Sequence, residues 1–203
     1  MIDDREAICQ FSFAAWEREQ DGQTTNTLPP ASWDKAMLHT ARLILRPSRR
    51  ADVASLFAFL GDAEAMKFTH IDRTFRQCRR RVMVHEWRRR HDGCAPWVVT
   101  TQDENRIVGW GGLYQDPFEP GWGFEVGYYF HPQVWGRGYA SELIGAALKL
   151  ADQHLEIPEV WAMAHPENPG SRRVLEKQGF QEVKYLPERT RFLFRRPRET
   201  GRD

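Results

Sequence analysis

The stretch HPQVWGRGYASE, residues 131–142, sets Gly136 and Gly138 one residue apart, directly ahead of an apolar-periodic run. Glycine has no Cβ, so the backbone there can turn sharply and come within hydrogen-bonding distance of a ligand. If the following run is a helix, its first turn offers unpaired N–H groups and the positive end of a dipole, together a site for an anion. The preceding GFEVGYYF reads as a strand and puts Glu125 on the opposite face from Phe124 and Val126. The residue types therefore suit amide binding of an anion at the start of the helix. Q-x-x-G-x-G leading into a helix fits a pyrophosphate held by successive amides, and equally a tight turn that binds nothing.

Two familiar phosphate motifs do not fit. The dinucleotide fingerprint needs a third glycine at a fixed offset, where Ala140 and Ser141 stand here. The NTPase loop needs a Gly-Lys-Ser/Thr ending, which the sequence lacks. A further cluster, Cys78, His85, His91 and Cys94, matches no compact zinc spacing, and a helix over 78–91 would scatter its members around the axis. Structural or surface roles fit these four residues better than a metal, and no metal is expected.

The elements that must position the glycine turn follow from periodicity. TARLILRP predicts a strand and ADVASLFAFLGD a helix, with Asp52 near its start and Gly61 near its end. TFRQCRRRVMVHEWRRRH predicts a second helix with Phe75, Val82, Val84 and Trp87 available for a buried stripe. Three strands follow in APWVVTT, RIVGWGGLY and GWGFEVGYYF, separated by the turn signals QDEN and QDPFEPG. After the glycine turn, Leu143, Ile144, Ala147, Leu148 and Ala151 share one face of a helix. EVWAMA is a short strand, PGSRRVLEKQG a helix, and FQEVKYL and RTRFLFRRP are late strands. The order is that of a mixed α/β or α+β domain rather than a doubly wound one. Residues 1–20 carry Ile8, Phe11 and Ala15 at helical spacing, and the polar stretch with Pro29 and Pro30 after them reads as a linker. The expected organisation is an N-terminal extension over 1–39, one domain over 40–198 and a tail over 199–203.

The 203 residues are 41% hydrophobic and 28% charged with a net charge of +1, enough chain to bury a real core. Near-neutral charge argues against a dedicated nucleic-acid binder. No apolar run approaches the roughly 20 residues of a membrane helix, so no membrane partner is expected. The acidic start MIDDREAICQ lacks the order of a secretion signal. Three cysteines without a CxxC pair argue against a disulfide framework, which makes the cytoplasm the default location.

EVGYYFHPQVWGRGYASE followed by HPENPGSRRVLEKQGFQEV resembles the Gcn5-related N-acetyltransferase (GNAT) superfamily, closest to the branch of ribosomal-protein N-terminal acetyltransferases. The resemblance covers about residues 40–196. It implies a mixed, mostly antiparallel sheet of six to seven strands flanked by helices, with central strands splayed around acetyl-coenzyme A. The anion of the opening motif would then be the cosubstrate's pyrophosphate, cradled by amides from Val134 to Ala140, including Tyr139. Gly136 and Gly138 would permit close approach, and Arg137 and Ser141 would add side-chain contacts. Backbone from Tyr128 to Phe130 would pair with the pantetheine arm. Asn168 matches the family's helix-start asparagine that contacts the cofactor, and Ser171 a position near the thioester sulfur.

The resemblance implies acetyl transfer to a primary amine, either a small molecule or a protein N-terminus. Glu125 is the candidate base, acting through water; the alternative is a carboxylate paired on a sheet face. Leu175 stands where many members carry an acidic tyrosine, which leaves Ser171 as candidate hydrogen-bond donor to sulfur, or else a capping or packing serine. The loop MKFTHIDRTF falls where the family lines its acceptor groove and offers His70 and Asp72. Trp110, Tyr114, Phe118 and Trp122 are candidates for an aromatic wall or for ordinary core. The arginine helix (Arg76, Arg79, Arg80, Arg81, Arg88, Arg89 and Arg90) reads as a solvated face, or as a dock for an acidic partner. The rival reading is a non-catalytic acyl-CoA-binding module docked through that helix, and a homodimer is left open.

Overall fold

The computed structural model describes residues 37–119 and 121–198. The helix and linker read over 1–36 lie outside these residues. Eight strands form one sheet: β1 (Leu38–His39), β2 (Leu43–Arg46), β3 (Trp97–Thr101), β4 (Ile107–Gln115), β5 (Phe124–Phe130), β6 (Glu159–Ala164), β7 (Gln181–Leu186) and β8 (Arg191–Pro197). Their spatial order is β1-β2-β3-β4-β5-β6-β8-β7. All neighbours are antiparallel except β5 and β6. The expected mixed, mostly antiparallel sheet is present, with one strand more than expected. The added strand is β1, which pairs Leu38 with Leu45 and His39 with Ile44. Two residues are too few to show an alternating pattern.

Four helices flank the sheet: α1 (Val53–Leu60), α2 (Phe75–Asp92), α3 (Tyr139–Gln153) and α4 (Pro169–Lys177). On one face α1 and α2 bury Val53, Leu56, Phe59, Leu60, Val82 and Met83 against Val98 and Trp110. On the other face α3 inserts Leu143, Ile144, Ala147, Leu148 and Ala151 into the larger core, which also takes Leu175 of α4. Helices on both faces explain why the central strand β3 is buried at every residue, without alternation. The start of α2 is fixed reciprocally: the Gln77 amide donates to Thr74 Oγ1 at 3.2 Å and the Thr74 amide to Gln77 Oε1 at 3.1 Å. Its stripe differs from the expected one. Phe75 is 47% exposed and rests edge-on against Phe57, while Cys78, Met83 and His85 are buried in addition to Val82 and Val84.

Candidate active site

The site arises from a break in pairing. β4 and β5 stay in register over seven pairs, from Gly109↔Phe130 to Gln115↔Phe124. β5 and β6 run parallel and share one registered pair, Glu125↔Trp161, after which their C-terminal halves part. The opening is a cleft of about 770 Å³, walled by Glu125 to Phe130 on one side and Met163, Ala164 and His165 on the other. Successive β5 side chains alternate between faces, so the lining draws on both sides of the sheet.

At the mouth on the α3 side stands the glycine turn. Gly136 and Gly138 have φ of 74° and 79°, the left-handed region that disfavours residues with a Cβ. Gly138 is the N-cap of α3 and contributes no side chain to its first turn. Val134, Gly136, Gly138, Tyr139, Ala140 and Ser141 all line the cleft. The Arg137 side chain is not part of that lining; its carbonyl instead accepts from Arg42 Nη1 at 2.8 Å. Arg42 also donates from its backbone N and Nε to the Glu142 carboxylate, at 2.7 and 2.8 Å, and its guanidinium lies 4.9 Å over the Tyr139 ring. Thr40 Oγ1 holds the same carboxylate at 2.5 Å. The β1–β2 connection thus braces the turn across some hundred residues of sequence. Arg42→Ala is expected to weaken acetyl-CoA binding about tenfold, because the turn loses the guanidinium's bonds to the Arg137 carbonyl and the Glu142 carboxylate, with little change in the melting temperature of the free protein because that guanidinium is half exposed. Calorimetric titration beside a thermal melt checks this.

Glu125 lies where β5 and β6 still touch, 8% exposed, and has no hydrogen-bond partner among the described residues. Burial pushes its carboxyl up to about 8, reinforced by the charge of Asp116 and, less, of Glu119, against the pull of Arg189. Asp116 is held by the Phe118 and Glu119 amides at 2.7 and 3.1 Å, and Arg189 pairs with Glu119. Tyr114 faces Glu125 across the β4–β5 ladder, and a Cβ on Gly127 would stand 2.6 Å from its hydroxyl, so this approach requires glycine.

The raised carboxyl ties stability to pH. Between its ordinary value of 4.5 and its folded value of about 8, the folded protein holds a proton that the unfolded chain has released. Stability therefore falls as pH rises through that window, by at most about 1.4 kcal/mol per unit. Glu125→Gln removes this slope. The variant is expected to melt like the parent near pH 4.5 and at a higher temperature than the parent at pH 8, with thermal melts across that range as the check.

On the α4 side, the Ser171 amide donates to Asn168 Oδ1 at 3.1 Å, so Asn168 caps α4 while lining the cleft. The Ser171 hydroxyl lies 2.6 Å from the hydroxyl of Tyr128. This pair was not legible as a unit, because Tyr128 entered the sequence reading through its backbone alone.

Other expectations are relocated. His70 and Asp72 do not line the cleft. Asp72 is 2% exposed and bound to Arg81 at 2.8 Å, while His70 projects outward 3.7 Å from it. The same loop reaches the cleft just before them, at Ala65, Lys67, Phe68 and Thr69. Phe68 stacks on His165 at 5.3 Å, and Lys67 lies over the Phe68 and Trp135 rings, bridging the two walls. Of the proposed aromatic wall, Tyr114 lines the cleft; Trp110 is core, its Nε1 donating to Ser48 Oγ. The arginine helix is partly satisfied from within: Arg81 by Asp72, Arg88 by Asp92, and buried Arg89 by Glu86 and the carbonyls of Ala95 and Pro96. Among the described residues no group of three or more His, Cys, Asp or Glu is placed to hold a metal. Burial raises the thiols of Cys78 and Cys94, and His85 sits among Trp110, Tyr114 and Phe118 with its imidazole lowered to about 3 by burial and nearby arginines. No described helix is long and apolar enough to cross a membrane.

A mixed sheet pried open between two parallel strands, with a bare helix start at its mouth and a buried carboxylate at its apex, defines an acyl-transferring α/β domain. The chain belongs to the GNAT acetyltransferase family: the family model described as an acetyltransferase (GNAT) domain matches residues 42–181. It is 26% identical over 142 residues to the N-acetyltransferase YnaD of Bacillus subtilis (strain 168), a match spanning 70% of this chain and 81% of that protein. The fold is shared with a ribosomal-protein-S5-alanine acetyltransferase from Vibrio fischeri, with a TM-score of 0.66, 14% identity, and coverage of 83% of this chain and all of the other. It is shared also with spermidine N-acetyltransferase from Vibrio cholerae, solved with CoA and spermine, with a TM-score of 0.61, 20% identity, and coverage of 75% and 92%.

Proposed function

We propose that the protein transfers an acetyl group from acetyl-coenzyme A to a primary amine. The observation that carries this reading is one cleft joining an uncapped helix start to a buried carboxylate through the plane of the sheet. The helix start fits the pyrophosphate: successive amides of Tyr139, Ala140 and Ser141 face a space that no side chain of Gly136 or Gly138 fills. The β5 backbone offers an edge for the pantetheine arm, and Asn168 retains its amide N–H groups as donors. The cosubstrate supplies an activated acetyl group and a thiolate leaving group.

At the other end, Asp116, Glu119 and Glu125 line the cleft beside Arg189 and Arg191, with Arg189 paired to Glu119. Once Glu125 is ionised, above about pH 8, three carboxylates stand against these two guanidiniums and favour a positively charged acceptor, which an alkylamine still is there. Glu125 takes a proton from the bound ammonium, directly or through water, and so frees the nitrogen lone pair. Ser171 donates a hydrogen bond towards the leaving sulfur, and the cleft walls hold the two reactants together, a large part of the rate. Spermidine, the acceptor named for one structural neighbour, carries primary amines, and another neighbour is named for an alanine of ribosomal protein S5. A panel of polyamines, amino sugars and alanine-terminated peptides, with free thiol release as the readout, tests the reading. Amine-dependent thiol release is expected from at least one class. Acetyl-CoA bound without such release across the panel would make the protein an acyl-CoA-binding module instead.

A further inference from the structure

Tyr128 carries a hydroxyl that the scheme above does not use. It belongs to the opposite face of β5 from Glu125, lines the cleft and meets α4 at two atoms: Ser171 Oγ at 2.6 Å and the Ser171 carbonyl at 3.3 Å. Ser171 stands in the first turn of α4, its amide fixed by Asn168, and the buried Leu175 follows one turn later on the same helical face. That face of α4 therefore offers the cleft one hydroxyl and a hydrocarbon, with Arg173, Val174 and Lys177 lining it from other positions of the helix, and a phenol arrives from the facing strand.

A hydrogen bond between two hydroxyls uses one of their two protons. The single Tyr128 proton has two acceptors in reach, Ser171 Oγ at 2.6 Å and the Ser171 carbonyl at 3.3 Å, and the shorter contact takes the larger share. A phenol, with an ordinary pKa of about 10, is a far stronger acid than an aliphatic alcohol, so the favoured donor is Tyr128 and the acceptor Ser171 Oγ. The Ser171 O–H is then left for a third group. Accepting one bond also polarises that O–H and strengthens the next bond it donates. Burial pushes the Tyr128 phenol up to about 12, partly offset by Ser171, so it keeps its proton at any working pH.

We propose that Tyr128 is a positioning residue for the leaving group, orienting and polarising the Ser171 hydroxyl so that its proton points at the sulfur of the acyl thioester. The inference rests on the acetyl-CoA reading above. In the balanced step, Glu125 receives one proton from the ammonium, the amine lone pair forms the C–N bond, the C–S bond breaks with its electron pair on sulfur, and the second proton that nitrogen sheds as the amide forms passes to water. Ser171 and Tyr128 both keep their protons, and protonation of the released thiolate is left to water. The rival role is a strut tying β5 to α4.

The test compares coenzyme A with desulfo-coenzyme A by calorimetry near pH 9, on the parent, Tyr128→Phe, Ser171→Ala and the double variant. Coenzyme A affinity is expected to fall about tenfold in each single variant and little further in the double, while desulfo-coenzyme A affinity stays level. The pKa of the bound thiol, read from thiolate ultraviolet absorbance, should rise by about one unit in the same variants. Equal loss for both ligands would make the pair a strut, and no loss for either would make it irrelevant to sulfur; both overturn the proposal while the cofactor reading stands. A parent protein that binds neither ligand overturns the cofactor reading and this one with it. If Tyr128→Phe does not fold, 3-fluorotyrosine at position 128, a stronger acid of the same shape, takes its place: the bound thiol pKa is expected to fall, and an unchanged value overturns the proposal.

Discussion

Glu125→Gln is expected to lower turnover about a hundredfold near neutral pH, at the low end for loss of a general base. The substitution keeps the shape and the hydrogen-bonding reach but removes the proton acceptor. With the carboxyl raised to about 8 in the free protein, the parent's kcat/KM should climb tenfold per pH unit up to that value. Above it the parent levels off, because the base is ionised while an alkylamine, with a pKa near 10.4, is still protonated. The variant has no base to ionise and depends on spontaneously free amine, so its rate keeps climbing tenfold per unit through the parent's plateau. The gap is therefore widest at and below pH 8 and closes above it. Acetyl-CoA affinity should barely change. Paired pH–rate profiles on one good acceptor decide the matter. Parallel profiles within a few-fold of each other would make Glu125 a structural carboxylate and move the search to Asp116, the neighbouring half-buried carboxylate on the same wall.

The same burial links this prediction to stability. A carboxyl without a hydrogen-bond partner is poorly solvated when charged, which raises its pKa and makes it a stronger base once ionised. The cost appears as the expected loss of stability between pH 4.5 and 8. A single substitution should thus remove activity and add stability at pH 8, a pairing that a merely packed glutamate would not produce.

What the sequence disclosed, and what it hid, divides by range. The glycine turn was legible because its chemistry is local: two left-handed residues and a helix start lie within five positions. The α3 stripe was legible for the same reason, as one face of a 3.6-residue period. Arg42, Thr40 and Glu142 were not, since nothing local marks an arginine on a short connection as the brace of a turn 95 residues away. The pairing of Tyr128 with Ser171 spans 43 positions and depends on how far the cleft opens. Asp72 shows the opposite failure. Its loop reaches the cleft at Lys67, Phe68 and Thr69, but the buried carboxylate of Asp72 next to Arg81 satisfies itself there rather than in the cleft. In the arginine helix, pattern alone does not separate Arg89, 4% exposed and bound to Ala95 and Pro96 carbonyls, from the arginines on the outer face.

Gly138→Glu is expected to abolish acetyl-CoA binding while leaving a folded protein. Acetyl-CoA at a hundredfold excess over its dissociation constant stabilises a protein that binds it only when folded by about 2.7 kcal/mol, on the order of 5–10 °C for a domain of this size. At Gly138, with φ of 79°, any side chain carries left-handed strain of about 1–2 kcal/mol. The new Cβ would lie 3.4 Å from Arg42 Nη2, so the carboxylate lands between the guanidinium and the free amides of α3. Both contacts favour the anion it brings: a negative charge is stabilised at a helix N-terminus, and Arg42, already paired with Glu142, gains a second carboxylate. The fold is thereby partly compensated, whereas the pyrophosphate meets a charge of its own sign in the place it would occupy. Gly138→Ala separates the two effects, since it carries the strain without the charge; its thermal shift should be reduced but present. Circular dichroism establishes that both variants fold, and melts with and without acetyl-CoA read the binding. A folded Gly138→Glu protein with the parent's full shift would move the phosphate site away from the start of α3, and the reading of the glycine turn would fall with it.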